Sequence, residues 1–200
     1  KKKISKVIEV LKGKIPIVLG GDHFITLEVL KNFPDVTVIY FDAHPGVLTS
    51  LQGHYGSVLN NNEFSLGKCI QIGVREPQIQ ELNNIKKENQ LTITAEEMYD
   101  NGKEWTWQQL QKKIKGKLYI SIDLNVFDPA IAPGVSQPVP GGLDYYQVLY
   151  VMKKILQEYS VIGFDIVELT PSYDHDQRTA HLATKLLLEI IINFNLKFNG

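Results

Sequence analysis

The chain has 200 residues, 44% of them hydrophobic and 22% charged, which is enough apolar material to close a sizeable core in one domain spanning 1–200. Its net charge of -1 offers no basic field for nucleic acid or an anionic membrane. The lone cysteine, Cys69, excludes an internal disulfide framework and a cysteine-built zinc site, in keeping with a reducing, cytoplasmic compartment.

In chain order, a Lys-rich stretch at 1–12 has helical character, and the run IPIVL predicts a strand over 15–19, followed by GGDH. A helix is expected over 25–32. VTVIYFD predicts a strand over 36–42 that delivers Asp42 and, two residues on, His44. CIQIGV (69–74) and LTIT (91–94) are further strands, with a helix over 76–88 between them and another over 104–115 that Trp105 and Trp107 pack. KLYISID (117–123) and SVIGFDIV (160–167) complete the strands, and helices are expected over 144–158 and 178–194. In the last helix Lys185 and Glu189 interrupt LATKLLLEIIINF at helical spacing, so it reads as amphipathic and falls short of a membrane span. The segment 128–144 holds too much proline and glycine for regular structure, and a loop this long inside a compact domain is commonly functional.

Strands that are apolar along nearly their whole length belong to a sheet covered on both faces. The fold class is therefore a three-layer α/β/α sandwich with a mainly parallel sheet. In such sheets ligands collect at the carboxyl ends of the strands. Gly20, Gly21, Asp22 and His23 follow one strand there, Asp42 and His44 the next, Asp123 and Asn125 a third, and Glu168 a fourth. In extended backbone, Asp-x-His and Asp-x-Asn direct alternate side chains the same way, so two such pairs converge on a divalent cation. Carboxylates and a neutral imidazole suit Mn²⁺ or Zn²⁺. Each pair alone also fits a bland role: a strand-end Asp caps the next helix, His23 sits in a turn, Glu168 pairs with a lysine or a helix N-terminus, and His54 lies in a surface loop.

Taken together, GGDH (20–23), FDAH (41–44), SIDLNVFDP (121–129), APGVSQPVPGGL (132–143), DIVELTPSYD (165–174) and TAHLATKL (179–186) resemble the ordered motifs of the ureohydrolases, the family of arginase, agmatinase and formiminoglutamase. The resemblance covers nearly the whole chain. It implies an arginase/deacetylase-like fold and a manganese-dependent amidinohydrolase that cleaves a linear guanidino C–N bond and releases urea. It also implies a homo-oligomer, trimer or hexamer, acting on a small guanidino or amide substrate. The family carries a further N-terminal region before GGDH, so a shortened form or a fragment is expected.

By the same resemblance His23 is a ligand of one metal and His44 of the other, Asp42 and Asp123 bridge them, and Glu168 holds the guanidinium. His54 carries protons. Two positions depart from the pattern. Gly46 stands where DAHxD has a second acid, and Asn125 where SxDxD does, so each metal loses a carboxylate. One cation, or weakened binding, is expected, held best by Asp42, His44, Asp123 and the amide oxygen of Asn125. Two alternatives stay open: an inactive protein of the same fold, and a mononuclear deacetylase-like amidohydrolase.

Overall fold

The computed structural model describes residues 2–11, 13–33, 35–47 and 68–198. Strands β1 (Ile17–Leu19), β2 (Thr37–Phe41), β3 (Cys69–Val74), β4 (Leu91–Thr94), β5 (Leu118–Asp123) and β6 (Val161–Val167) form one sheet in the order β1-β6-β5-β2-β3-β4. Every neighbouring pair is parallel. The helices are α1 (Lys2–Val10), α2 (Ile25–Leu30), α3 (Ile79–Lys87), α4 (Ala95–Lys113), α5 (Tyr145–Glu158) and α6 (Arg178–Phe198).

Side chains on the strands alternate between two cores, as a period of two requires. Ile39, Phe41, Ile70, Ile72, Ile120, Ile122, Phe164 and Ile166 pack with Leu110 of α4, Met152 and Ile155 of α5, and Leu186 of α6. Val38, Tyr40, Cys69 and Tyr119 face the other way, onto Ile8 of α1 and Val29 and Leu30 of α2. The result is the expected three-layer α/β/α arrangement around a parallel sheet. β1 departs from full burial: as an edge strand it leaves Ile17 43% and Leu19 64% exposed. Among the described residues no helix is long and apolar enough to cross a membrane.

Two helices are longer than their sequence pattern suggests: α6 runs four residues past 194, and α4 differs most. α4 begins at Ala95, nine residues before the expected start at 104, because Thr94 and Glu97 form a reciprocal cap: the Thr94 hydroxyl accepts from Glu97 N–H, and the Glu97 carboxylate from Thr94 N–H. Gly102, with φ 86°, breaks the helix midway, and the expected segment is the part after that break.

The Pro/Gly-rich segment 128–144 is stitched down at both ends of its course. Asp128 accepts N–H bonds from Ala130, Gly141 and Gly142, while Gly134 N–H donates to Thr179 Oγ1 at 2.7 Å and its carbonyl accepts from Thr170 N–H. Asp174 in turn accepts from the N–H groups of Thr179 and Ala180 at the start of α6. The Ala130 N–H leads in holding the Asp128 carboxyl below its ordinary range; for Asp174 burial pushes upward, but the two donors outweigh it. A lowered folded-state pKa gives stability that is complete above the ordinary value of about 3.9 and is lost as pH falls through the folded value. The thermal midpoint should therefore show no pH dependence from these two groups above about pH 5, where their contribution is complete, and should decline below about pH 4. In Asp128→Asn/Asp174→Asn, scanning calorimetry across that range should show a shallower decline.

Candidate metal centre

The acids meet because their strands are neighbours in register. Phe41 of β2 lies beside Ile122 of β5, and Asp123 beside Val167 of β6, so Asp42, Asp123 and Glu168 end three adjacent strands in a row. His23 reaches them from the loop between β1 and α2. Beyond each Asp the backbone turns and does not stay extended. Asp42 Oδ1 accepts from His44 N–H at 2.8 Å, and Asp123 Oδ1 accepts from Asn125 N–H at 2.6 Å within a 3-10 turn, Leu124–Val126. Each carboxylate thus spends one oxygen on its own turn. The other, Oδ2, points to His23 Nδ1, at 3.2 Å for Asp42 and 3.0 Å for Asp123.

The far side of the imidazole assigns its tautomer. Asp165, buried at mid-strand in β6, accepts hydroxyl bonds from Thr26, Tyr119 and Ser121. Because Ser121 donates its proton to Asp165, its oxygen accepts from His23 Nε2–H at 2.8 Å. Nδ1 is then the nitrogen left to face Asp42 and Asp123. It carries a proton when His23 is imidazolium and offers a lone pair when His23 is neutral.

Burial by itself would lower the His23 pKa, yet the hydrogen bonds and charges of Asp123 and Asp42 hold it well above the ordinary value. Burial and the Asp42 charge push Asp123 up, whereas for Asp42 the bonds from His23 and His44 outweigh burial and keep it low. Two buried like charges flanking one imidazole form a centre short of positive charge. A divalent cation would supply it.

The donor set fits such an ion. Nδ1 of His23 and one oxygen each from Asp42 and Asp123 lie within 4.8 Å of one another, and all three residues are buried. Asn125 lines the same narrow cavity, and its Oδ1 is buried with no hydrogen-bond partner among the described residues. A buried, unpaired amide oxygen beside two carboxylates is an available neutral ligand.

The other expected residues lie around this group. His44 also lines the cavity but stands apart from the three-residue cluster: its Nδ1 is 3.4 Å from Asp42 Oδ1 and its Nε2 3.6 Å from Glu76 Oε2 at the mouth. Of the expected ligands, His23, Asp42 and Asp123 form the tight group, while His44 and Asn125 line the same cavity beside it. Glu168 lines the cavity with φ 68°, a left-handed backbone that non-glycine residues seldom adopt. Its Oε1 accepts from His23 N–H at 2.7 Å and its Oε2 from the Ser136 hydroxyl at 2.9 Å, so segment 128–144 folds over the site. His54 lies outside the described residues, as does the whole stretch 48–67.

Sequence reasoning passed over Tyr40, Ser121 and Asp165. An acid inside the apolar run VIGFDIV was the available signal, since a buried carboxylate requires donors. Ser121, two residues before Asp123, shares its face of β5.

A sequence profile described as the arginase family matches residues 1–193. An uncharacterized 32.2 kDa protein of Methanothermus fervidus is 35% identical over 194 residues, which are 94% of this chain and 67% of that protein. The agmatinase of Bacillus subtilis (strain 168) is 31% identical over 202 residues, covering 96% of this chain and 67% of the enzyme. The crystal structure of agmatine ureohydrolase of Thermoplasma volcanium superposes with a TM-score of 0.86 at 29% identity, over 99% of this chain and 69% of that one.

Proposed function

The chain belongs to the arginase family, and from that premise we propose that it is a metal-dependent hydrolase of a linear guanidino C–N bond, agmatinase-like, that releases urea. The observation that carries the reading is the convergence of His23 Nδ1, Asp42 and Asp123 at the carboxyl edge of the sheet. Oxygen-rich donors with one imidazole favour Mn²⁺, and Zn²⁺ is the nearest competitor.

A bound divalent cation would supply Lewis acidity and a water of lowered pKa. The chain's own residues do the rest. Asp42 and Asp123 place two negative charges against the cation, and the Ser121–Asp165 pair keeps His23 in the tautomer whose lone pair faces them. Glu168, fixed by His23 N–H and Ser136, presents its carboxylate at the cavity wall, where the free lone pairs of its oxygens accept N–H bonds from a guanidinium. His44, partly exposed and with its Nδ1 3.4 Å from Asp42 Oδ1, would give a proton to the departing amine. The balance is simple: water adds oxygen to the guanidinium carbon, the C–N bond to the side chain breaks, and urea and a protonated amine leave.

Loading the protein with Mn²⁺ and assaying urea from agmatine, arginine and 4-guanidinobutyrate tests this. Urea is expected from at least one of them, lost with a chelator and regained with Mn²⁺. Amine release only from N-acetylated amines would support the mononuclear amidohydrolase, and no product from any of these would favour the inactive relative.

A further inference from the structure

Tyr40 is buried, and its ring stacks on His23 with centroids 4.6 Å apart and planes within 5°. Its hydroxyl lies 3.1 Å from His23 Nδ1, the nitrogen that faces both carboxylates. The same hydroxyl bears on residue 46. A Cβ at Gly46, where φ is +62°, would meet the Tyr40 oxygen at 2.8 Å, closer than side-chain carbons approach, and the ring carbon Cζ at 3.4 Å, an ordinary contact. Neither side is free to give way. Tyr40 is held by its stack on His23, while the Pro45 carbonyl accepts from Gln71 Nε2 at 3.0 Å, Val47 N–H donates to Glu81 and the Val47 carbonyl accepts from Asn84 Nδ2 at 2.8 Å. An acid at position 46 and a hydroxyl on residue 40 therefore exclude one another.

We infer that Tyr40 makes this centre mononuclear: its hydroxyl takes the space a residue-46 ligand would need, leaving seats and charge for one divalent cation. The inference rests on the metal-hydrolase reading above and adds its stoichiometry. Of the cavity's carboxylates, Glu168 is the one that the reading above gives to the guanidinium, which leaves Asp42 and Asp123 for the metal. Two dications about 3.5–4 Å apart repel strongly and need bridging anions to stay together, and two carboxylates balance only one dication. Asn125 completes the set as a neutral oxygen.

Mn²⁺ binding can be counted by titration calorimetry and by elemental analysis after desalting, on three proteins whose folding is checked by circular dichroism. The parent is expected to bind one Mn²⁺ per chain. Gly46→Asp/Asn125→Asp, with Tyr40 retained, is expected to stay at one. Adding Tyr40→Phe, which removes the oxygen but keeps the stacked ring, should raise the count to two and replace an isolated-ion electron paramagnetic resonance spectrum with that of a coupled pair. Two ions in the parent or in the double variant, or one in a folded triple variant, would overturn the inference and leave the hydrolase reading standing. No bound ion in the parent would overturn both.

Discussion

Arg75→Ala is expected to destabilise the protein by on the order of 3–4 kcal/mol in chemical denaturation and to cut turnover along with stability. The guanidinium donates to a ring of carbonyls: Gly73 in β3, Asn125 and Phe127 after β5, and Val139 and Pro140 in the Pro/Gly segment, the shortest contact being 2.6 Å to Val139. Truncation strands several of these carbonyls at once. Each charge-assisted bond contributes about 1.5–3 kcal/mol, but they share one donor and do not add. Arg75→Lys should recover only part of the loss, because an ammonium is a point charge and cannot span the fork. Turnover suffers because the same segment carries Ser136, which orients Glu168. Full stability in Arg75→Ala would mean that the segment is held by its Asp128 and Thr179 contacts alone.

Asp123→Asn is expected to move stability and metal affinity in opposite directions. The amide keeps the shape, and its oxygen still accepts from Asn125 N–H, while its NH₂ can donate to the neutral Nδ1 of His23. It also removes one of two like charges whose mutual repulsion pushes Asp123 up. In chelator, the melting temperature should stay level or rise. Mn²⁺ affinity should fall by more than ~100-fold, beyond what loss of a supporting residue around a metal costs. Titration calorimetry and thermal melts on the same preparation separate the two effects. Unchanged affinity would remove Asp123 from the ligand set.

The layer order and the strands were legible because β-branched, near-continuous apolar runs bounded by glycine or charge admit little else in a 200-residue chain. Asp42 and Asp123 were legible for the same reason: they end two such runs. The hidden part is what depends on contacts between strands distant in sequence. Tyr40 looks like one more aromatic in VTVIYFD, and only the packed layers show its hydroxyl against Gly46 and His23. Asp165 lies 44 residues from its partner Ser121 and looks out of place in its strand until β5 and β6 pair. Arg75 had no visible partners because it bonds backbone carbonyls, which carry no side-chain signature. The different parts taken by His23 and His44 come from the turn that Asp42 makes with His44 N–H, a local competition that alternation along an extended strand does not represent.

The most direct test of the account is anomalous diffraction at the manganese edge from crystals grown with Mn²⁺. It predicts one peak per chain, enclosed by His23, Asp42 and Asp123 and within ligand distance of Asn125 Oδ1. A peak elsewhere, or none at saturating Mn²⁺ with the three side chains left as they are, would contradict it.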